Sequence, residues 1–256
     1  MITLTSAKGS PGVTTLGVAM ACASGGVLVE VDPAGGDVAL RAGISQAPGL
    51  IELAVRARRE HGREIALNYC AQRLGSGATV VPAPVAVPAL SSLLADAGSL
   101  TGIVSVLRSS RACPQVMADV GRFGSHVTSL LNVPGSACVV VARCDAASLG
   151  HARDLLPEIG QRRIVGLVLV EHGEFSATEA AAELGIRLLG VIPWHPRHAA
   201  RLTDSAGVQT PRANKLVRAA ASIVGAASAL AGVDTQAASA GQGAVLASVR
   251  GQEVSA

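Results

Sequence analysis

The residue types that could do chemistry are concentrated in three short segments, and the first lies at the N-terminus. An apolar run from Met1 to Leu4 leads into residues 6–15, which read SAKGSPGVTT. A loop of the form G-x-x-x-x-G-K-S/T holds phosphates with backbone N–H groups, a lysine that reaches the β- and γ-phosphates and a hydroxyl that holds Mg²⁺. Gly12 and Thr14 fit this pattern, but Val13 stands where the lysine belongs. The segment predicts nucleotide binding with weak hydrolysis; the alternative is a turn that binds no ligand.

Acidic residues follow two further apolar runs. Residues 29–37 read VEVDPAGGD, and residues 116–122 read VMADVGR, so that Asp32 and Asp119 each stand at the end of a predicted strand. Ligands of an open parallel sheet collect at the carboxyl ends of its strands, and one or two carboxylates suffice to hold hydrated Mg²⁺. Each acid alone is also compatible with a tight turn. Three such segments in this order favour a nucleotide site.

The elements that must position these residues follow an alternating pattern. Short β-branched runs bounded by turn residues alternate with Ala- and Leu-rich helical windows, which is typical of a three-layer α/β fold with a doubly wound, mostly parallel sheet. The predicted strands are residues 2–5, 26–31, 78–81, 115–118, 137–142, 164–170 and 188–192. The predicted helices include residues 14–23, 49–58, 148–156 and 177–184 and a helix from Pro211 to about Leu230. We expect one domain over residues 1–230 and a disordered Ala-, Gly- and Ser-rich tail over residues 231–256.

Composition limits the class of protein. Apolar residues make up 49% of the chain and aromatic residues 2%, which suits a buried sheet covered by Ala-rich helices. A net charge of +3 is far from the concentrated positive stripe of a dedicated nucleic-acid module. Five scattered cysteines favour reduced thiols. We find neither a signal peptide nor a transmembrane segment in the pattern and expect a cytoplasmic protein.

The three segments resemble the MinD/ParA family. The family's deviant Walker A loop is written K-G-G-x-G-K-S/T-S/T, and its additional early lysine matches Lys8, one of only two lysines in the chain. Residues 29–37 are similar to the family's D-x-D-P-Q-G-N segment, with Glu30 for the first Asp. Residues 116–122 look like a Walker B strand that leads into a mobile switch loop. The resemblance implies a P-loop NTPase fold.

The resemblance also implies roles for individual residues. Lys8 would reach the phosphates of a partner subunit's nucleotide in a sandwich dimer, and Asp32 would position the attacking water or a metal-bound water. Thr14 and Asp119 would hold Mg²⁺. The residues that would bind ATP are Gly9, Ser10, Pro11, Gly12, Val13, Thr14, Thr15, Gly121 and Pro193. With Val13 in place of the lysine, the cations left to compensate are Lys8, Arg122 and Arg143.

The C-terminal half continues the resemblance to about residue 230. Residues 137–149 are similar to the family's V-T-x-P-E-x-x-S segment, and residues 189–197 (LGVIPWHPR) to the L-G-x-I/L-P-x-D-P-R segment that lines the adenine pocket. The base-reading Asn of the family is replaced by Val170 or Glu171. The loop and the D-P-A-G-G-D sequence resemble actinobacterial members of the CpaE/TadZ branch, which is associated with pilus or secretion machinery.

Three functions remain open at this stage. The first is an ATP-dependent homodimeric switch that serves pilus or secretion machinery, septum site determination or chromosome partitioning, recruited by a membrane-associated protein partner rather than by direct membrane insertion. The second is a scaffold that has lost nucleotide binding. The third, which is not favoured, is a ParA-type factor that binds DNA nonspecifically through arginines. Those arginines are Arg56, Arg58, Arg59, Arg63, Arg162, Arg163, Arg212 and Arg218.

Overall fold

The computed structural model describes residues 1–8, 11–59, 63–109, 115–124, 136–160, 165–204 and 213–232. The strands are β1 (Ile2–Ser6), β2 (Val27–Glu30), β3 (Gln72–Arg73), β4 (Thr79–Val81), β5 (Val116–Arg122), β6 (Ala137–Arg143), β7 (Val165–Glu171) and β8 (Leu188–Pro193). The helices are α1 (Val13–Ser24), α2 (Val38–Ala42), α3 (Leu50–Arg59), α4 (Arg63–Cys70), α5 (Val87–Ala95), α6 (Ala97–Ser109), α7 (Ala146–Gly160), α8 (Ala177–Leu184), α9 (Pro196–Thr203) and α10 (Lys215–Gly232).

The strands form one sheet in the order β3-β4-β2-β5-β1-β6-β7-β8. All neighbouring strands are parallel except β3, which pairs antiparallel with β4. The sequence order reverses on either side of β1, between β5 and β6, and such a reversal opens a crevice at the carboxyl ends of the strands. The predicted mostly parallel, doubly wound sheet is confirmed.

Helices cover both faces of the sheet. Consecutive strand residues alternate between faces: Leu28 packs in a core cluster with α1 and α10, whereas Val29 packs with α3 and α6. Leu28, Val29 and their neighbours are fully buried, and the side chains in both clusters are mainly Val, Leu, Ile and Ala. The three-layer α/β fold predicted from the sequence is therefore present.

The seven predicted strands and the predicted helices all occur, with ends that differ by a few residues. β5 continues to Arg122, four residues beyond its predicted end, because it pairs with the whole length of β1. The sequence did not predict β3, since two residues carry no periodic pattern.

The last helix, α10, packs its apolar stripe into the core through Leu216, Ala220, Ile223 and Ala227. Within the described residues, α10 has the length and mean hydropathy of a membrane span, as does the bent pair of α5 and α6 if it is counted as one span. The core helix of a globular fold meets the same criterion, so this composition assigns no location. Residues 233–256 of the predicted tail lie outside the described residues.

Candidate functional site

A cavity of about 630 Å³ lies at the carboxyl ends of the central strands. Its volume is within the range of small-molecule sites. The residues that line it come from the loop before α1, the first turns of α1, the loop after β2, the ends of β5, β7 and β8, and the start of α9. The strand order separates β2 and β5 from β7 and β8, so the cavity has a charged end and a largely apolar end.

The N-terminus of α1 opens into this cavity. Gly12 caps the helix with φ 103°, a left-handed conformation that glycine adopts without a steric penalty. The first intrahelical bond runs from Leu16 N–H to Gly12 C=O at 2.9 Å, so the N–H groups of Val13, Thr14 and Thr15 precede the helical ladder. No acid stands in the first turn. Free N–H groups and the positive end of the helix dipole make this terminus suitable for an anion.

Thr14 connects the helix terminus to the acid of β5. Its hydroxyl donates a hydrogen bond to the Asp119 carboxylate, which also accepts the Gly121 N–H at 2.9 Å. Asp119 is 1% exposed, and burial raises its pKa to about 6 against the opposing effect of these hydrogen bonds. A hydroxyl that lines the cavity and a carboxylate in contact with it are oxygen ligands of the kind that hold hydrated Mg²⁺. The residues predicted to hold the metal are thus brought together.

Asp32 lies against the end of β5. Its carboxylate accepts the Ala34 N–H at 2.9 Å, and it packs so closely on Gly121 that an ideal Cβ there would lie 1.9 Å from the Asp32 Oδ2. Gly121 has φ 62°, which also favours glycine. Both residues line the cavity. The loop after β2 and the end of β5 therefore meet at the charged end of the cavity; a role of these residues at a γ-phosphate stays a prediction.

Glu30 has a structural task that the sequence did not reveal. Its carboxylate accepts the N–H groups of Asp37 and Val38 at 3.0 Å and of Ala83 at 3.1 Å. Glu30 is 2% exposed, and burial raises its pKa to about 7 despite these hydrogen bonds. The sequence places Glu30 near the end of a predicted strand. It does not reveal the hydrogen bond from the Ala83 N–H, because Ala83 is 53 residues away in sequence. Glu30 anchors the loop after β2 to the neighbouring strand connection.

The two lysine positions of the phosphate loop lie in different environments. Val13 is 6% exposed and packs in the core cluster with Leu16 and Val18, although part of it lines the cavity. Lys8 is exposed at the end of β1 and is not among the residues that line the cavity. Gly9 and Ser10 lie outside the described residues. Pro11, Gly12, Val13, Thr14 and Thr15 all line the cavity.

The apolar end of the cavity is built from the ends of β7 and β8. Val170, Ile192, Pro193 and Trp194 line it, whereas Glu171 is exposed on the far side of its strand. Trp194, the single tryptophan, is 49% exposed and stacks on His172 with ring centroids 4.2 Å apart. His195 also lines the cavity and contacts His198. Aromatic and apolar walls suit a flat heterocycle. Of the two residues that the sequence offers at the position of the family's base-reading Asn, Val170 lines this end of the cavity and Glu171 does not.

The arginines predicted to bind DNA are only partly described. Arg58 pairs with Asp96, and Arg56 lies over the Tyr69 ring at 4.9 Å. Arg218 is exposed on α10. Arg162, Arg163 and Arg212 lie outside the described residues, as do the side chains of Arg59 and Arg63. No cluster of three metal-ligating His, Cys, Asp or Glu side chains occurs in the described part of the chain.

The chain is similar in sequence to curated proteins over most of its length. A scan against known protein families gives no match. The uncharacterized protein Rv3660c of Mycobacterium tuberculosis is 28% identical over 228 residues, which are 85% of this chain and 61% of that protein. The chain therefore spans about three fifths of the length of the curated relatives it matches.

Solved structures match over almost their whole length. A ParA family ATPase from Chlorobium tepidum superposes with a TM-score of 0.70 and 14% identity over 87% of this chain and 96% of that chain. The septum site-determining protein MinD from Pyrococcus horikoshii, in complex with Mg-ADP, gives a TM-score of 0.64 and 18% identity over 91% and 97%. The chain has the fold of the MinD and ParA ATPases.

Proposed function

We propose that the protein binds ATP with Mg²⁺ and acts as a nucleotide-dependent homodimeric switch with slow or absent hydrolysis. One observation carries this proposal: the N-terminus of α1 opens into the cavity that Thr14 and Asp32 line, and the Thr14 hydroxyl is hydrogen-bonded to the buried Asp119 carboxylate. An anion site beside a metal-binding acid is the arrangement that a triphosphate with Mg²⁺ requires.

The individual roles follow from the positions of the groups. The N–H groups at the start of α1 would bind phosphate, and Thr14 and Asp119 would hold Mg²⁺, which supplies positive charge between the phosphates when it is bound. Asp32, at the charged end, would orient a water molecule. Val170, Pro193 and Trp194 would contact the base. The Asp32 carboxylate lines the cavity, so triphosphate binding without the metal would be opposed by its negative charge.

Val13 is the reason to expect weak hydrolysis. A lysine at a phosphate makes charge-assisted hydrogen bonds worth on the order of 1.5–3 kcal/mol each. The loss of one or two of them weakens triphosphate binding, and the transition state more, by about two to four orders of magnitude in affinity and rate. Such a protein would stay in its ATP-bound conformation for long periods. This behaviour suits a positional switch better than an enzyme with rapid turnover of ATP.

Lys8 is the residue that we propose to act between subunits. Its side chain is exposed at the edge of the phosphate loop, where a second copy could be reached. The P. horikoshii protein is a septum site-determining protein, and by analogy we propose a positional role in the cytoplasm through a protein partner on membrane-associated machinery, in pilus assembly or secretion, in septum placement or in chromosome partitioning.

The test is calorimetric titration with ATP and with ADP in Mg²⁺, with light scattering on the same samples to measure mass. Quenching of Trp194 fluorescence reports on the same cavity independently. We expect micromolar ATP binding and a doubled mass, with the doubling lost in Lys8→Ala and kept in Lys215→Ala, which removes the other, also exposed, lysine. The absence of binding at millimolar ATP would refute the proposal and leave a scaffold.

If ATP binds and the mass stays constant, the dimeric switch is refuted but ATP binding is not. Salt-sensitive binding to duplex DNA of unrelated sequences in the ATP state would instead support a ParA-type factor.

A further inference from the structure

The phosphate end of the cavity lacks the expected cation from α1. The side chain at position 13 is apolar and packs mainly in the core, so α1 offers phosphates backbone N–H groups, threonine hydroxyls and a partial charge but no cationic side chain. A triphosphate carries more negative charge than one divalent metal ion neutralises. A further cation is therefore needed from another element.

Two arginines line the cavity within the described residues, Arg41 and Arg122. The Arg41 guanidinium is bound to the Asp37 carboxylate at 2.7 Å, on the same helical turn, so its charge is already matched by an acid. Arg143, the other arginine expected to compensate, pairs with Asp145 at 2.9 Å and is not among the lining residues. Arg122 therefore differs from Arg41, which is paired with an acid, and from Arg143, which lies outside the lining of the cavity.

Arg122 contacts the start of the segment that leads from β1 to α1. It is the last residue of β5, adjacent to Gly121, and its Nε–H donates to the Ala7 C=O at 3.3 Å. The Phe123 N–H donates to the Ser6 C=O at 2.8 Å, which fixes the backbone of β5 to the end of β1. The bond to Ala7 uses one of the five N–H donors of a guanidinium. The planar fork of an arginine can present two of the remaining donors to phosphate oxygens.

We propose that Arg122 supplies the phosphate-binding positive charge that Val13 does not, in the site of the function proposed above. The end of β5 then carries both the acid that would hold the metal, Asp119, and the cation that binds phosphate oxygens. Because Arg122 lies beside Gly121 at the charged end of the cavity, away from Pro193 and Trp194 at the apolar end, its contact would be to phosphates and not to the base. Arg122 should therefore distinguish nucleotides by their number of phosphates.

The test compares ATP, ADP and AMP binding by calorimetry at constant Mg²⁺ in the full chain and in Arg122→Gln. We expect ATP affinity to fall about 10- to 100-fold, the loss of one or two charge-assisted hydrogen bonds, ADP affinity to fall less, and AMP affinity to change by less than about 3-fold. Arg41→Gln removes an equal charge from the same cavity and should change ATP affinity by less than about 5-fold, as expected for an exposed, paired charge. Arg153→Gln, on α7, is the control for net charge and should change nothing.

Two outcomes would overturn the inference while leaving the proposed function intact. The first is an Arg122→Gln variant that binds ATP as the unmodified chain does. The second is an equal loss for ATP, ADP and AMP, which would mean that Arg122 only positions the loop. Arg122→Lys, which keeps a charge but loses the fork, serves if the glutamine variant does not fold, and it should retain the preference for ATP over AMP at reduced affinity. An unmodified chain that binds no nucleotide refutes the function itself.

Discussion

The pH dependence of stability should identify Glu30 as a buried acid. Burial raises the pKa of Glu30 to about 7 in the folded protein, from 4.5 in the unfolded chain. The folded state therefore holds the proton more tightly than the unfolded state, and the contribution of Glu30 to stability is greatest below pH 4.5 and is lost as the pH rises through 7. From the shift, the loss between pH 5 and pH 8 is roughly 2–3 kcal/mol in the free energy of unfolding.

The variant Glu30→Gln should remove this dependence. The glutamine C=O can still accept the N–H groups of Asp37 and Val38, but its NH₂ group would face the Ala83 N–H, which now has no acceptor. The protonated Glu30 has the same mismatch, because its O–H must also lie against one of these N–H groups. We thus expect the variant and the unmodified chain to have similar stability at pH 5, and the variant to be the more stable of the two at pH 8, where Glu30 is ionised.

The assay is urea denaturation at pH 5, 6, 7 and 8, with stabilities from linear extrapolation. Asp119 is close enough to raise the pKa of Glu30, so the difference between the two curves reports the titration of Glu30 together with its coupling to Asp119. Glu183→Gln, at an exposed position of α8, is the matched control and should give a curve parallel to that of the unmodified chain. Parallel curves for Glu30→Gln, within about 1 kcal/mol across this range, would refute the reasoning that Glu30 titrates near neutrality.

Two further predictions concern the phosphate loop and the end of β5. Val13→Lys restores the missing lysine, and ATP should bind about 10- to 100-fold more tightly in calorimetry. The nucleotide-free variant should melt at a lower temperature than the unmodified chain, because an ammonium group replaces a buried apolar group. Unchanged ATP affinity in a folded variant would contradict our account of the loop. Gly121→Ala places a Cβ on the Asp32 carboxylate at φ 62°, and we expect a loss of about 2–4 kcal/mol in the free energy of unfolding. Gly185→Ala has a similar φ, 61°, but open space around the new Cβ, so it should lose only about 1 kcal/mol; equal losses for the two variants would show that the contact with Asp32 is unimportant.

Much of the fold could be read from the sequence because its determinants are local. The apolar runs that became β2, β6 and β7 are bounded by turn residues, and the Ala-rich windows between them have helical periodicity. The order of these elements already favours a parallel sheet, because right-handed crossovers leave few other topologies. The phosphate loop, Asp32 and Asp119 were likewise visible, since each follows a strand that ends at the same edge of the sheet.

The sequence by itself thus determined the fold class, the crevice and the residues that follow its strands. Only the tertiary structure decided which groups these residues contact. The Glu30 carboxylate accepts a hydrogen bond from the Ala83 N–H, 53 residues away in sequence, and Arg122 donates one to the Ala7 C=O, 115 residues away. No local sequence pattern indicates such pairs. The stacking of Trp194 on His172 and the burial of Val13 are also consequences of packing between distant elements. Periodicity records the face on which a residue lies, whereas its partners depend on how the strands are ordered in the sheet.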